Sequence, residues 1–385
     1  MKKVLGFMCT ALLAGTAALA VPVFAEDAKP AAPLVSADDI KKALGISFYV
    51  QGGYTYNGSA SNGATQSSEN DLRVFDHKAN SFTLDLAQIV ISKDTPTPGD
   101  NGYRIKLSTG ETAKWIHARG MSGAALNQAQ FGEGSDVIDV TEAYVSYMAP
   151  IGKGLRFDLG KMVTYFGAEV IEAIDNPNYS RSFLFNYAIP FTHTGLKMSY
   201  GVTDALSASL YVVNGWDNAE DNNSSKSLGV SIGYAPAEIF SGNVNYMTGP
   251  EQDSNNHDIR SLVDLVATIK PVKPLSFILN YDYGTEDHAV PTGTAKWSGF
   301  AGIAKYDFTD KYSLSLRGES FDDTDGFRTG TKQTLTEWTV TPEIRLAGGL
   351  IVRPEYRHDT SDKKSFDNGT KKSQDTIALG AMIRW

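Results

Sequence analysis

The chemistry-bearing residues of this 385-residue chain are spaced for electrostatics rather than for catalysis. Its six histidines (His77, His117, His193, His257, His288, His358) are scattered, with no HxxxH or HExxH pair to hold a metal or activate water. No G-x-S-x-G elbow, P-loop or dinucleotide fingerprint occurs. Asp322-Asp323-Thr324-Asp325-Gly326 and Asp217-Asn218-Ala219-Glu220-Asp221-Asn222 look like fragments of calcium loops, but neither has EF-hand spacing or a closing Glu. They read as solvated loops. The sequence therefore predicts no catalytic centre, no metal site and no cofactor.

Fixed charge is patterned more tightly. Arg104, Lys106, Arg156, Lys197, Arg317, Arg345, Arg353 and Arg357 fall opposite the apolar residues of their segments, and Asp158, Glu142, Glu319, Glu343 and Glu355 share that face. A cation facing lipid costs up to about 2–4 kcal/mol at a bilayer midplane, so in a membrane-spanning chain this face must line water. A second set sits in residues 166–200, a stretch that is neither clean strand nor low-information loop. There Glu169, Glu172 and Asp175 precede Asn178, Tyr179, Arg181, Phe183 and Phe185. Loop acids held opposite wall arginines would set a transverse field across a narrow gap, which orients and sieves small polar solutes.

Charges placed in this way need strands to carry them. After Gly45 the apolar pattern has period two: Phe48-Val50-Gly52-Tyr54, Phe82-Leu84-Leu86, Tyr103-Ile105-Leu107, and so on to Ile377-Leu379-Ala381-Ile383-Trp385. About sixteen such segments, each near the ten residues a tilted strand needs to cross a bilayer, can be counted. Their connections alternate in length. Short ones (150–154, 202–205, 236–239, 271–274, 308–311, 347–349) take turns with long polar ones (57–80, 111–136, 167–190, 216–226, 249–259, 285–296, 322–333, 359–373). Short turns on one side and long loops on the other are what an outer-membrane barrel has, and a soluble sandwich has no reason to sort them. Tyr54, Tyr103, Tyr147, Tyr200, Tyr234, Tyr281, Tyr306, Tyr312 and Tyr356 lie near segment ends, where amphipathic rings suit a membrane interface. The fold class predicted is all-β: a transmembrane antiparallel up-and-down barrel of about 16 strands, range roughly 14–18, with a short N-terminal helix. Pro342 and Pro354 fall inside neighbouring segments and predict bulges or shifted boundaries.

The ends and totals agree. Residues 1–25 combine Lys2 and Lys3, an apolar run and Val23-Phe24-Ala25, the pattern of a cleaved export signal. Its removal takes away the sole cysteine, Cys9, which has no lipobox before it, and moves the formal charge from −9 to about −11. Disulfides and thiolate metal sites are then excluded, and so acidic a chain is a poor partner for nucleic acid. Residues 26–45 read as an Ala/Pro linker and a short helix capped by Ser36, with Asp38 and Asp39 early and Lys41 and Lys42 late. The barrel is expected over 46–385, with its third long loop folded inward over about 167–188. A mean hydropathy of −0.23 does not oppose this, because lipid-facing and lumen-facing residues cancel in an average.

The block Asp175-Asn176-Pro177-Asn178-Tyr179-Ser180-Arg181-Ser182-Phe183-Leu184-Phe185, followed by Ala188-Ile189-Pro190-Phe191-Thr192-His193-Thr194-Gly195, resembles the hallmark block of the β-barrel porin-2 (OmpL-like) family. The similarity covers about Ser47 to Trp385. It implies a porin-type barrel in the bacterial outer membrane, with membrane lipid and lipopolysaccharide around it. Ions or small hydrophilic solutes would be its cargo, and nothing catalytic carries over. Sixteen-stranded porins are commonly homotrimers. Trp385 is similar to the terminal aromatic, usually Phe, that such barrels present to their assembly machinery. A passive channel is the leading expectation. A substrate-specific channel would line its path with Tyr179, Phe183, Phe185 and Tyr187. A third alternative is a sleeve holding a partner such as an electron-transfer protein.

Overall fold

The computed structural model describes residues 45–58, 69–121 and 138–385; the export signal and the Ala/Pro linker with its short helix lie outside them. Sixteen antiparallel strands follow in chain order: β1 (Ile46–Asn57), β2 (Phe82–Lys93), β3 (Asn101–Thr109), β4 (Asp139–Ala149), β5 (Leu155–Val163), β6 (Thr192–Gly201), β7 (Leu206–Val213) and β8 (Ser227–Ala237). The second half adds β9 (Phe240–Pro250), β10 (Ile259–Val272), β11 (Leu275–Val290), β12 (Gly293–Asp307), β13 (Tyr312–Asp323), β14 (Gln333–Arg345), β15 (Ile351–Ser361) and β16 (Ser373–Arg384). Each strand pairs with its chain neighbours, and β16 returns to β1, Tyr49 opposite Arg384 and Tyr54 opposite Leu379. Closure leaves no edge, the condition for strands in lipid. Next to that seam Trp385 exchanges backbone hydrogen bonds with Phe48 (2.8 and 3.1 Å), and their rings stack 5.9 Å apart.

The alternation sorts the faces as expected. Leu84, Ile105, Val145, Leu159, Leu210, Val244, Leu316 and Leu379 are exposed on the outside, while the opposite parity is polar and largely buried. Tyr103, Tyr147, Tyr234, Tyr306 and Tyr312 form an exposed aromatic rim at the short-turn end, and Tyr56, Phe82 and Tyr246 lie toward the long-loop end.

Three features depart from the simple pattern. The β1–β2 register shifts between Gln51 and Gly52, so that Asp85 and Leu86 both turn inward; Leu86 is fully buried rather than lipid-facing. A second bulge, between Lys106 and Leu107 against β4, turns Thr141 and Glu142 inward together. Residues 285–296, polar enough to read as a loop, mostly continue β11 and β12 beyond the bilayer, leaving only a tight connection between Val290 and Gly293. The second long loop also contains a short helix, α1 (Glu111–Trp115).

Pro342 and Pro354 sit inside β14 and β15 without a bulge. The pairing runs Leu335–Ser361 to Val340–Tyr356, stops, and resumes in the same register at Ile344–Val352. That register places the two prolines opposite each other. Two ladder donors are therefore missing at one rung, and the β14–β15 ladder is open there.

Candidate functional site: an inward loop on a charged wall

Residues 164–191 leave β5, cross the lumen and return at β6. Strand pairing resumes at Thr192, so the last third of the 166–200 stretch is strand. The loop contains a single 3-10 turn, Ala173–Asp175, and one turn of π-helix, Leu184–Ala188. So short an irregular segment can lie inside a membrane protein only if its backbone polar groups find partners. The barrel wall supplies them. Glu355 accepts the Tyr179 and Ser180 N–H groups (2.7 and 3.0 Å), Glu319 those of Phe183 and Leu184 (2.5 and 3.1 Å), and Asp264 that of Gly167 (3.1 Å). Arg353 donates to the carbonyls of Ala173 (2.5 Å) and Asn178 (3.1 Å), Arg357 to that of Arg181 (2.5 Å), and Trp297 to that of Ala188 (3.1 Å).

The predicted loop residues are brought together here, but in contact with the wall instead of across a gap from it. Glu169 pairs with Arg317 at 2.8 Å and also accepts the Ser182 N–H (2.8 Å). Glu172 pairs with Lys106 (2.8 Å) and accepts from Gln88 (2.9 Å). Asp175 takes a two-pronged pair from Arg384 (2.5 and 2.8 Å) and stays half exposed. Asn178 donates to Thr341 (2.7 Å), and Tyr179 to Asp85 (2.7 Å). Arg181 ties the loop to itself, donating to the carbonyls of Val170, Ile171 and Tyr179, with its guanidinium over the Phe75 ring. Phe183 lies under Arg357, 4.7 Å from guanidinium carbon to ring centre, and Phe185 packs on Phe75 and Phe191. Tyr179, Phe183, Phe185 and Tyr187 are all buried, so they pack the loop against the barrel and do not form an aromatic path.

Glycines give the loop room. Gly53 and Gly380 are paired across the β1–β16 seam, and a Cβ on either would sit 2.0 or 2.3 Å from the Tyr179 ring or its hydroxyl. The two glycines form a slot that the ring fills.

The eight wall cations split into two sets. Lys106, Arg317, Arg353 and Arg357 are buried under the loop and spent on it or on wall acids, with Arg357 on Asp359 (2.6 Å) and Arg317 on Glu337 (2.7 Å). Arg104, Arg156, Lys197 and Arg345 are partly exposed and lie in the half of the barrel toward the short turns.

The wall partners missed from the sequence fall into two kinds. Asp85 and Arg384 lie at inward-facing positions of β2 and β16 and were legible there. Arg73, bonded to Asp76 and Asp359, and Arg328, which donates to the Tyr187 carbonyl (2.6 Å), come from other long loops, which have no periodicity to reveal them. Asp217, on the loop after β7, accepts the Phe191 and Thr192 N–H groups (2.8 Å each) and so fixes the loop's exit. Burial pushes the Asp217 carboxyl up to about 6, and burial pushes that of Glu251 in the next long loop up to about 7.

A closed sixteen-stranded barrel, apolar outside, charged inside and crossed by one wall-anchored loop, is a porin-type channel of the bacterial outer membrane. The fold is shared with OmpT of Vibrio cholerae in its trimer form (TM-score 0.56, 12% identity, 88% of this chain and 98% of that one). It is shared equally with the outer membrane channel DcaP of Acinetobacter baumannii (0.57, 11%, 88% and 96%) and with an anion-selective porin from Comamonas acidovorans (0.58, 8%, 88% and 98%). No curated protein matches the sequence. The family described as "Putative beta-barrel porin-2, OmpL-like" matches residues 43–385, and the chain belongs to that family. Its function is that family's: a channel for passive diffusion across the outer membrane.

Proposed function

We propose that the solutes are ions and small hydrophilic molecules, and that the inward loop is a fixed constriction that narrows their path. The observation that carries this is the asymmetry of the loop's anchors. Most of its bonds beyond β5 and β6 go to β1–β3 and β10–β16, and on the β7–β9 side it is held by Asp217 at its exit and by Tyr165 at its entry, so the loop leans away from that sector. Toward the remaining sector, Tyr165 stacks on Tyr211 of β7 (3.9 Å, 12°) and donates to the Tyr246 carbonyl (3.1 Å). Below that ring the wall of β6–β9 is small and polar: Ser199, Ser207, Ser209, Ser231, Gly233, Ser241 and Asn243. The path runs along this sector.

The reading is of transport without chemistry, because the buried acids under the loop are bound to wall cations and to loop N–H groups, which leaves them to hold the loop in place. A sugar-slide channel is disfavoured by the burial of the loop aromatics. A sleeve is disfavoured because the wall-anchored loop lies within the bore that a partner protein would need. Surrounding lipid and lipopolysaccharide, recognition of Trp385 by the assembly machinery, and a homotrimer complete the proposal; one of the similar structures is a trimer.

Single-channel conductance of the purified protein in a planar bilayer tests it. Steady open steps without sugar block are expected. Silence would return the sleeve to first place, and saturable block by a sugar would favour the substrate-specific channel.

A further inference from the structure

The two sets of wall cations differ in what their partners leave uncovered. In the short-turn half, which faces the periplasm in outer-membrane barrels, three wall pairs turn the positive member to the lumen and bury the negative one. The Arg104 side chain is 33% exposed and that of its partner Glu142 5%; Arg156 is 31% exposed and Asp158 4%; Arg345 is 31% exposed and Glu343 2%. Glu142 is also shared with Lys106 (2.8 Å), so one carboxylate serves two cations.

Lys197 adds a charge with no acid spent on it. It stands opposite Asp158 across the β5–β6 ladder, but Asp158 accepts instead from Arg156 and Ser146 (2.8 and 2.6 Å). No hydrogen bond or ion pair joins Lys197 to a side chain among the described residues; its nearest marked contact is the face of Tyr211, 5.8 Å away. On β3–β6, then, Arg104, Lys106, Arg156 and Lys197 face only Glu142, Asp158 and the loop's Glu172 among the charges that line this part of the lumen. Across the barrel Lys305, Arg345 and Arg353 share Glu343 and Asp307. On the wall of this half Asp307 and Asp175 are exposed acids, each in contact with an arginine, while the short turns below also expose Asp94, Asp204, Glu238 and Asp310.

We propose that this half of the lumen is an anion-accepting vestibule, and that the channel passes small anions, such as chloride, carboxylates and inorganic phosphate, in preference to cations. Lys197, Arg156 and Arg104 contact the anion. Lys197 stands on β6 at the edge of the Ser/Asn sector along which the path runs, with Arg156 on the neighbouring strand, so both present donors to a solute in that path. A guanidinium offers a carboxylate or phosphate a two-pronged hydrogen bond, and an unpaired ammonium needs no ion pair broken before it receives an anion. The inference rests on the channel reading and names its solute class.

The test is the reversal potential of the full-length, membrane-inserted protein in a KCl gradient. The wild type should give the sign of an anion-preferring pore, with a chloride-to-potassium permeability ratio above about 2 that shrinks as rising salt screens the wall. Lys197→Gln should cut the ratio by about half, and Arg104→Gln with Arg156→Gln should move it further toward cations. Inorganic phosphate at the short-turn side should reduce chloride current in the wild type and less so in Lys197→Gln. A cation-preferring wild type overturns the proposal, and so does a ratio unmoved by Lys197→Gln in a barrel that still resists SDS when unheated. Absence of any conductance sinks the channel reading itself and is distinguishable from both.

Discussion

The Tyr179 hydroxyl donates to Asp85 at 2.7 Å while its ring lies in the slot formed by Gly53 and Gly380, so the mid-point of the inward loop is held by one hydrogen bond and one shape. Asp85 faces inward by the ordinary alternation of β2, with Leu86 turned in beside it by the β1–β2 bulge, and Gln51 also donates to it (3.0 Å).

Separating those two contributions is straightforward. Tyr179→Phe keeps the ring and loses the bond, an expected cost of about 1 kcal/mol. Gly380→Val removes the slot and should displace the loop, lowering the temperature at which the folded barrel loses its fast gel mobility by far more than Tyr179→Phe does. Equal shifts would show that the slot contributes nothing.

The pair Arg317–Glu169 has side chains 0% and 3% exposed. Arg317→Gln leaves Glu169 and Glu337 buried without their cation and should cost about 3–5 kcal/mol, whereas Glu169→Gln leaves Arg317 on Glu337 and should cost less, with the double substitution below their sum. Single-channel recordings should show flicker in the single variants as the loop loosens. A quiet, stable Glu169→Gln channel would mean that the loop is held without this pair.

Asp282 presents the reverse case. Its carboxyl is fully buried with Asp264 and Asn280 as its neighbours, and Asp264 already accepts from Asn245, Asn280 and Gly167. Two buried carboxyls face to face are a liability, so Asp282→Asn, which gives Asp264 an amide donor, should stabilise the barrel by about 1–3 kcal/mol. Measured destabilisation would reveal a partner that the geometry does not show.

Two external carboxyls set a pH dependence of unusual sign. Asp217 moves from 3.8 to about 6 and Glu251 from 4.5 to about 7, both through burial. A carboxyl raised in the folded state binds more protons folded than unfolded within that window, so stability falls as pH rises through it. Apparent melting should therefore drop between roughly pH 4 and 7 by this contribution. Asp217→Asn and Glu251→Gln should flatten the slope while preserving the acceptors for Phe191, Thr192 and Trp216. A slope unchanged in both variants would assign it to other groups.

Strand number and face were legible because period two is written directly into residues such as Leu314, Leu316, Arg317 and Glu319. Partners were not. Parity says that Lys106 and Lys197 face the same lumen, but only the path of the loop decides that Glu172 covers the first and nothing covers the second. Bulges at Asp85/Leu86 and Thr141/Glu142 insert a residue without any turn signal, so parity failed locally there. Residues 285–296 read as loop because strands extending past the bilayer no longer carry an apolar face.

The open rung between Pro342 and Pro354 acquires a meaning from its neighbours. Thr341, Arg353 and Glu355 flank it on the inner face, and all three bind the inward loop, at Asn178, Ala173, Tyr179 and Ser180. The loop works as a splint across a joint the strands leave unfastened. Wall and loop are therefore one mechanical unit at this point: whatever loosens residues 173–180 also loosens the seam between β14 and β15.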